Sequence, residues 1–218
     1  MLQPLSVYQE YPPDEMECRA RMFRQDLERR RSVRDFSDRS VSKKLIENLL
    51  LTAGTAPSGA NMQPWHFVAV SDPQIKAKIR IGAEREEKEF YDGKAPKEWV
   101  DALAPLGTNE KKPFLEVAPW LITIFVQRYG VLDDGRKIKN YYALESVGIA
   151  TGLLITAVQN AGLVSLTHTP SPMNFLNRLL NRPINERPFL ILVVGYPAED
   201  AQIPVISKKS IKDIATYL

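Results

Sequence analysis

Glu87 and Tyr91 sit four residues apart in the stretch EREEKEFYDGKAPKEW, from Glu84 to Trp99. On a helix that spacing puts an acid and a phenol on one face. A lysine pair, Lys111 and Lys112, follows shortly after. A solvated helix surface accounts for so much charge, but an acid, a phenol and an amine can also grip one polar ligand. Three further groupings could do chemistry. The run RRRSVRDFS, Arg29 to Ser37, offers guanidinium forks and a hydroxyl for a phosphate. Alternation about Val33 in an extended segment points Arg30, Ser32 and Arg34 the same way; on composition alone, a solvated basic helix end explains the run better. In TAPSGANMQPW, Pro57, Ser58 and Gly59 make a tight turn whose backbone N–H groups suit an anionic or carbonyl oxygen, or merely connect a helix to a strand. In SLTHTPSP, Thr167 and Thr169 end a strand just before Pro170, where hydroxyls also serve ordinary turn chemistry.

These groups need elements to position them. Residues 1–13 read as an irregular arm ending at Pro12-Pro13. A charged helix follows from Asp14 to about Arg31, with Met16, Ala20, Phe23 and Leu27 along one face. Ser42 caps a helix over KKLIENLLLTAG that stops at Gly54. Trp65 to Val70 reads as a strand, and Asp72-Pro73 as a helix start. Residues 82–116 are the most polar and least periodic of the chain and fit an active-site lid insertion. Ala118–Gln127 and Pro188–Pro197 are apolar runs of buried-strand type, with DDGRK as a turn after the first. Asn140–Asn160 is a long helix studded with small residues, among them Gly148 and Gly152, which allow close backbone approach; Gly162 ends it. A short strand, LVSLTHT, and a helix over Pro172–Leu180 complete the pattern, before a basic, weakly helical tail from Ser207. Loose alternation with four strand candidates and no repeat predicts one α+β (α/β) domain over residues 1–218.

Composition narrows the function. The chain has 218 residues, 44% of them hydrophobic and 25% charged, ordinary for a soluble globular protein that can bury a real core. A net charge of +3 argues against a dedicated nucleic-acid binder. The lone Cys18 forbids an internal disulfide and points to a reducing compartment. Neither a leader nor an apolar span opens the sequence, so a cytoplasmic protein without a membrane partner is expected. There is no G-x-G-x-x-G, Walker loop, G-x-S-x-G or H-E-x-x-H, and His66 and His168 are too few for most metal sites. A chain so poor in reactive groups needs a cofactor to carry its chemistry, if it is an enzyme.

In order and spacing, RRSVRDF, APSGANMQPW, QNAGLVSLTHTP and VVGYP resemble the flavin-dependent nitroreductase superfamily, from Arg29 to the C-terminus. With EEKEFYDGK and TNEKKPFLE, the lid is similar to that of the iodotyrosine deiodinase family; general nitroreductases lack the acid–phenol–lysine trio. The resemblance implies a nitroreductase-like fold, with a central mixed sheet flanked by helices in an intertwined homodimer that binds FMN. It implies that Arg30, Arg31, Ser32, Val33 and Arg34 hold the FMN phosphate and pyrimidine edge. Ser58 and Gly59 would touch the flavin, Thr167, His168 and Thr169 would line its ring, and Lys208 would stand where the family has an arginine near the phosphate. Glu87 would take the substrate ammonium, Tyr91 and Lys112 its carboxylate, and the Ala60 N–H its phenolate oxygen. Thr169, donating to flavin N5, would be the catalytic group that favours stepwise one-electron transfer in the reductive dehalogenation of halotyrosines. A general NAD(P)H nitroreductase or quinone reductase, and a non-catalytic flavin- or ligand-binding protein, are the competing readings.

Overall fold

The computed structural model describes residues 2–218, which form two compact units, one ending at Arg31 and the other running from Ser32 to Leu218. The first unit is helix α1, Pro13–Glu28. Proline enters at its first turn and acids Asp14 and Glu15 follow, as the N-terminal dipole favours. Its surface is laced by Arg19–Glu15 at 2.8 Å and by an Arg24–Glu28 pair. The helix stops three residues before the expected Arg31.

In the second unit, α2 (Lys43–Gly54) begins where expected, with the Ser42 hydroxyl accepting from the Leu45 N–H. The strands are β1 (Trp65–Val70), β2 (Trp120–Gln127), β3 (Tyr129–Val131), β4 (Lys137–Lys139), β5 (Val164–His168) and β6 (Glu186–Gly195). Four of them form a sheet in the order β1-β2-β6-β5, all paired antiparallel. The parallel component that makes it mixed is a bridge between Ser32 and Ser165. β3 and β4 close a separate hairpin around the DDGRK turn.

The apolar runs of β2 and β6 are continuous because both faces of the sheet are covered. Ile122, Ile124, Leu192 and Val194 face one side, where they pack with Ile46, Leu49 and Ala53 of α2 and with Val147, Leu154 and Val158 of α6 (Ala143–Asn160). Leu121, Phe125, Ile191 and Val193 face the other, against Ile79 and Ala83 of α3 (Pro73–Glu89) and Phe114 and Leu115 of α5 (Phe114–Val117). Between α3 and α5 lie a wide turn at Phe90–Lys94 and α4 (Lys97–Leu103).

The helix expected from Pro172 is shorter: α7 spans Phe175–Leu179. Pro170 and Pro172 lack the N–H a helix needs, and Ser171, preceding a proline, is pushed towards extended backbone. The tail carries one turn of helix, α8 (Ile211–Ile214), with a Ser210–Asp213 capping box. Among the described residues, no helix is long and apolar enough to cross a membrane.

Candidate active site

The polar stretch of residues 82–116 and the end of β5 meet at one cavity of about 270 Å³. Its lining includes Glu87, Tyr91 and Lys112 together with Arg34, Thr167, His168 and Thr169. Seven residues singled out in four separate segments of sequence are therefore brought together.

Lys112 is the pivot. It is only 3% exposed, and its ammonium lies 3.0 Å from the Glu87 carboxylate. It also donates to the Thr108 hydroxyl at 3.1 Å and to the Asn109 carbonyl, and lies 5.9 Å from the Tyr91 ring centroid. A buried cation needs this many partners, since its desolvation costs more than one contact returns. The backbone is pinned as well: the Lys112 N–H donates to Glu84 Oε1 at 2.7 Å, and Arg80 holds the same oxygen at 2.7 Å. Burial pushes the Glu84 carboxyl up, but the Lys112 N–H and Arg80 outweigh it and keep it below the usual carboxylate range. Glu84 is thus a positioning residue that sequence reasoning missed; its spacing three before Glu87 was the available signal.

Tyr91 keeps its proton. Burial raises its pKa, partly offset by the bond from its hydroxyl to the Thr108 carbonyl. Beside it stands an aromatic wall that received no role from sequence: Phe90 meets Tyr91 edge-on, with centroids 5.4 Å apart, and Trp99 at 6.1 Å. Such a wall suits a flat aromatic guest. His168 is 7% exposed and its Nε2 has no hydrogen-bond partner. Its ring packs edge-on against Phe114 at 5.6 Å. A buried ring nitrogen left bare at a cavity wall fits a site built around a further polar molecule.

Other expected site residues lie elsewhere. Ser58, Gly59 and Ala60 are not in the lining of this cavity. Their turn is nonetheless firmly built. The Ser58 hydroxyl accepts from the Gln63 N–H at 2.9 Å, and the Gly59 N–H donates to Ser146 Oγ at 3.3 Å. Ala60, Asn61 and Gln63 all have left-handed backbone, a strain typical of functional turns. A Cβ on Gly59 would stand 2.6 Å from the Tyr141 carbonyl oxygen, so only glycine fits. Arg30 and Arg31 fall in the first unit, and Ser32 begins the second. The Val33 side chain is buried in the core, while its N–H donates to the Ser165 carbonyl at 3.3 Å. Lys208 is exposed in the tail. Among the described residues, no cluster of His, Cys, Asp or Glu could hold a metal ion.

Comparison with known proteins places this geometry. The nitroreductase family model matches residues 27–196. The chain is 56% identical over 200 residues to an iodotyrosine deiodinase of Haliscomenobacter hydrossis, covering 92% of this chain and 90% of that one. It is 44% identical over 205 residues to the human iodotyrosine deiodinase 1, covering 94% and 71%. Among solved structures, an oxidized iodotyrosine deiodinase bound to FMN and 3-iodo-L-tyrosine superimposes with a TM-score of 0.76 at 32% identity, over 90% of this chain and 100% of that one. A BluB-like flavoprotein from Clostridium difficile 630, 21% identical with a TM-score of 0.67, shares the fold. The chain belongs to the nitroreductase family, within its iodotyrosine deiodinase group.

Proposed function

We propose that this chain, with FMN bound, reductively removes halide from halotyrosines. The observation that carries the reading is the convergence of Glu87, Tyr91 and Lys112 on the same cavity as Thr167, His168 and Thr169. When bound, FMN supplies the two electrons that, with one proton, turn an aryl iodide into an arene and iodide. Everything else falls to this chain. Arg30, Arg31, Ser32 and Arg34 would hold the cofactor phosphate and pyrimidine edge, with Lys208 adding charge. Ser58, Gly59, Val33, Thr167 and His168 would frame it, with the Thr169 hydroxyl as the donor towards its N5. The fit of guanidinium forks to phosphate oxygens and the bare His168 nitrogen at the cavity wall support this set.

Substrate selection falls to the segment 82–116 acting as a cover. Without a guest, the Glu87 and Lys112 charges neutralise each other at 3.0 Å. A zwitterionic amino acid exchanges that one pair for two: its ammonium goes to Glu87, and its carboxylate to Lys112 and the Tyr91 hydroxyl. Phe90 and Trp99 flank the ring, and the Ala60 N–H takes the phenolate oxygen. A neutral quinone or nitroarene offers no charge to Glu87 or Lys112 and gains no grip from the pair, which disfavours a general reductase.

Anaerobic incubation of the dithionite-reduced, FMN-loaded protein with 3-iodo-L-tyrosine is expected to release iodide and tyrosine in equal amounts. 4-Iodophenol, which lacks both backbone charges, should react about 100-fold more slowly or worse, because two charge-assisted contacts are missing. No iodide, or equal rates on both compounds, would refute the proposal.

The Ser58–Ala60 turn is needed at the flavin but does not line the cavity, so we infer that a second copy of the chain supplies it. The outer face of α6 supports such pairing. Leu144 and Ile149 are exposed there, and a Cβ on Gly148 or Gly152 would meet nothing within 4 Å. Light scattering is expected to give twice 24.7 kDa. Gly148→Arg should halve that mass; a wild-type monomer that binds FMN tightly would overturn the inference.

A further inference from the structure

A second concavity, of about 720 Å³, shares no lining residue with the cavity of the lid trio. It lies between α7 and the start of β6. Four arginines, Arg128, Arg178, Arg182 and Arg187, line it with the amides of Asn174 and Asn181. The one acid in the lining, Glu186, is already engaged: it is buried and takes both the Nε and Nη2 of Arg182, at 2.6 and 2.8 Å. Among the described residues, neither Arg178 nor Arg187 forms an ion pair, and both are exposed. The rest of the site is braced. Arg128 donates to the Ile184 carbonyl at 2.9 Å, and the Asn177 amide to the Glu186 carbonyl at 2.8 Å.

Four guanidinium groups against one carboxylate leave an excess of positive charge in a concave, hydrogen-bond-rich pocket. Planar forks of this kind match phosphate oxygens in pairs, and the asparagine amides add neutral donors. The volume lies in the range of small-molecule sites. We propose that this concavity is a second ligand site, which takes a small molecule bearing a di- or triphosphate. Arg178 and Arg187 supply the free forks. The Arg182–Glu186 pair and Arg128 form the fixed floor.

Isothermal titration of the FMN-loaded protein with inorganic pyrophosphate, and separately with ADP, tests this; the flavin already fills its own phosphate site. Both probes are expected to bind once per chain and to weaken as salt rises. The double variant Arg178→Ala/Arg187→Ala should lose about tenfold or more in affinity while its flavin absorbance stays unchanged. The lysine double variant, which keeps charge but not the fork, should fall between the two. Equal affinity for both probes would identify a free phosphate compound as the ligand, and tighter ADP binding a nucleotide. No binding of either probe, unchanged affinity in the alanine variant, or binding only of an acidic polymer such as polyglutamate would overturn the proposal.

Discussion

Replacing Lys112 by alanine is expected to weaken 3-iodo-L-tyrosine binding about 100-fold, or about 3 kcal/mol, while FMN stays bound. Lys112 touches Glu87, Tyr91 and the Thr108–Asn109 loop, and the phosphate and ring contacts of the cofactor are assigned to other residues. The loss has two parts. The substrate carboxylate forfeits its cation, and Glu87, whose side chain is only 15% exposed, is left as a partly buried charge with no counterion. Glu87→Gln separates the two. It removes the ammonium partner but leaves Lys112 free for the carboxylate, so its cost should be smaller than that of Lys112→Ala. The pair is coupled at 3.0 Å, so the double variant should cost less than the sum of the two single changes. Flavin fluorescence quenching on titration with iodotyrosine reads all three affinities. Single variants that bind within threefold of wild type would show that the guest's charged ends lie elsewhere.

How much of this was legible beforehand depended on how local the cause was. The Ser42 cap and the Asp72-Pro73 start are written in adjacent residues, and α2 and α3 begin there. β2 and β6 are apolar throughout because helices cover both faces of the sheet, and the runs announced that burial. The wide turn at Phe90–Lys94 and the early stop before Phe175 depend on tertiary fit and on proline clashes, and periodicity blurs both. In the site, Glu87 and Tyr91 could be paired from their spacing alone. That Lys112 returns across more than twenty residues to face Glu87 could not be, because the contact rests on Glu84 gripping its backbone N–H from α3. The arginines lining the second concavity come from two distant segments, and no short motif joins Arg128 to Arg178 and Arg187. Their meeting is a product of the β2–β6 register, which sets Val126 opposite Arg187 at the end of the ladder.

His168 makes the stability of this fold depend on pH, with a sign that follows from its burial. Desolvation at the cavity wall, reinforced by the positive charges of Lys112 and Arg34, pushes the imidazole from the ordinary 6.5 down to about 3. The unfolded chain takes up this proton at pH near 6.5, while the folded chain refuses it until pH 3. Between those values the unfolded state holds the extra proton, so stability is fully present above pH 6.5 and falls as pH falls. One such group contributes a slope of about 1.4 kcal/mol per pH unit, and at most about 5 kcal/mol across the whole window. Glu84 and Glu186, both held below the usual carboxylate range, add losses of the same sign at lower pH. A comparison of variants is therefore needed to isolate His168. His168→Phe keeps a planar ring against Phe114 and removes both the titrating group and the bare Nε2. Urea unfolding of the FMN-free protein, from pH 7.5 to 4.5, should show the wild type losing stability below pH 6.5 more steeply than this variant, by about 1.4 kcal/mol per unit. At pH 7.5 the two should lie within about 1 kcal/mol of each other, since a neutral buried imidazole without a partner contributes little that a phenyl ring lacks. Parallel curves would mean that the imidazole can take its proton without unfolding, and that the wall beside Thr169 opens to water as the pH drops.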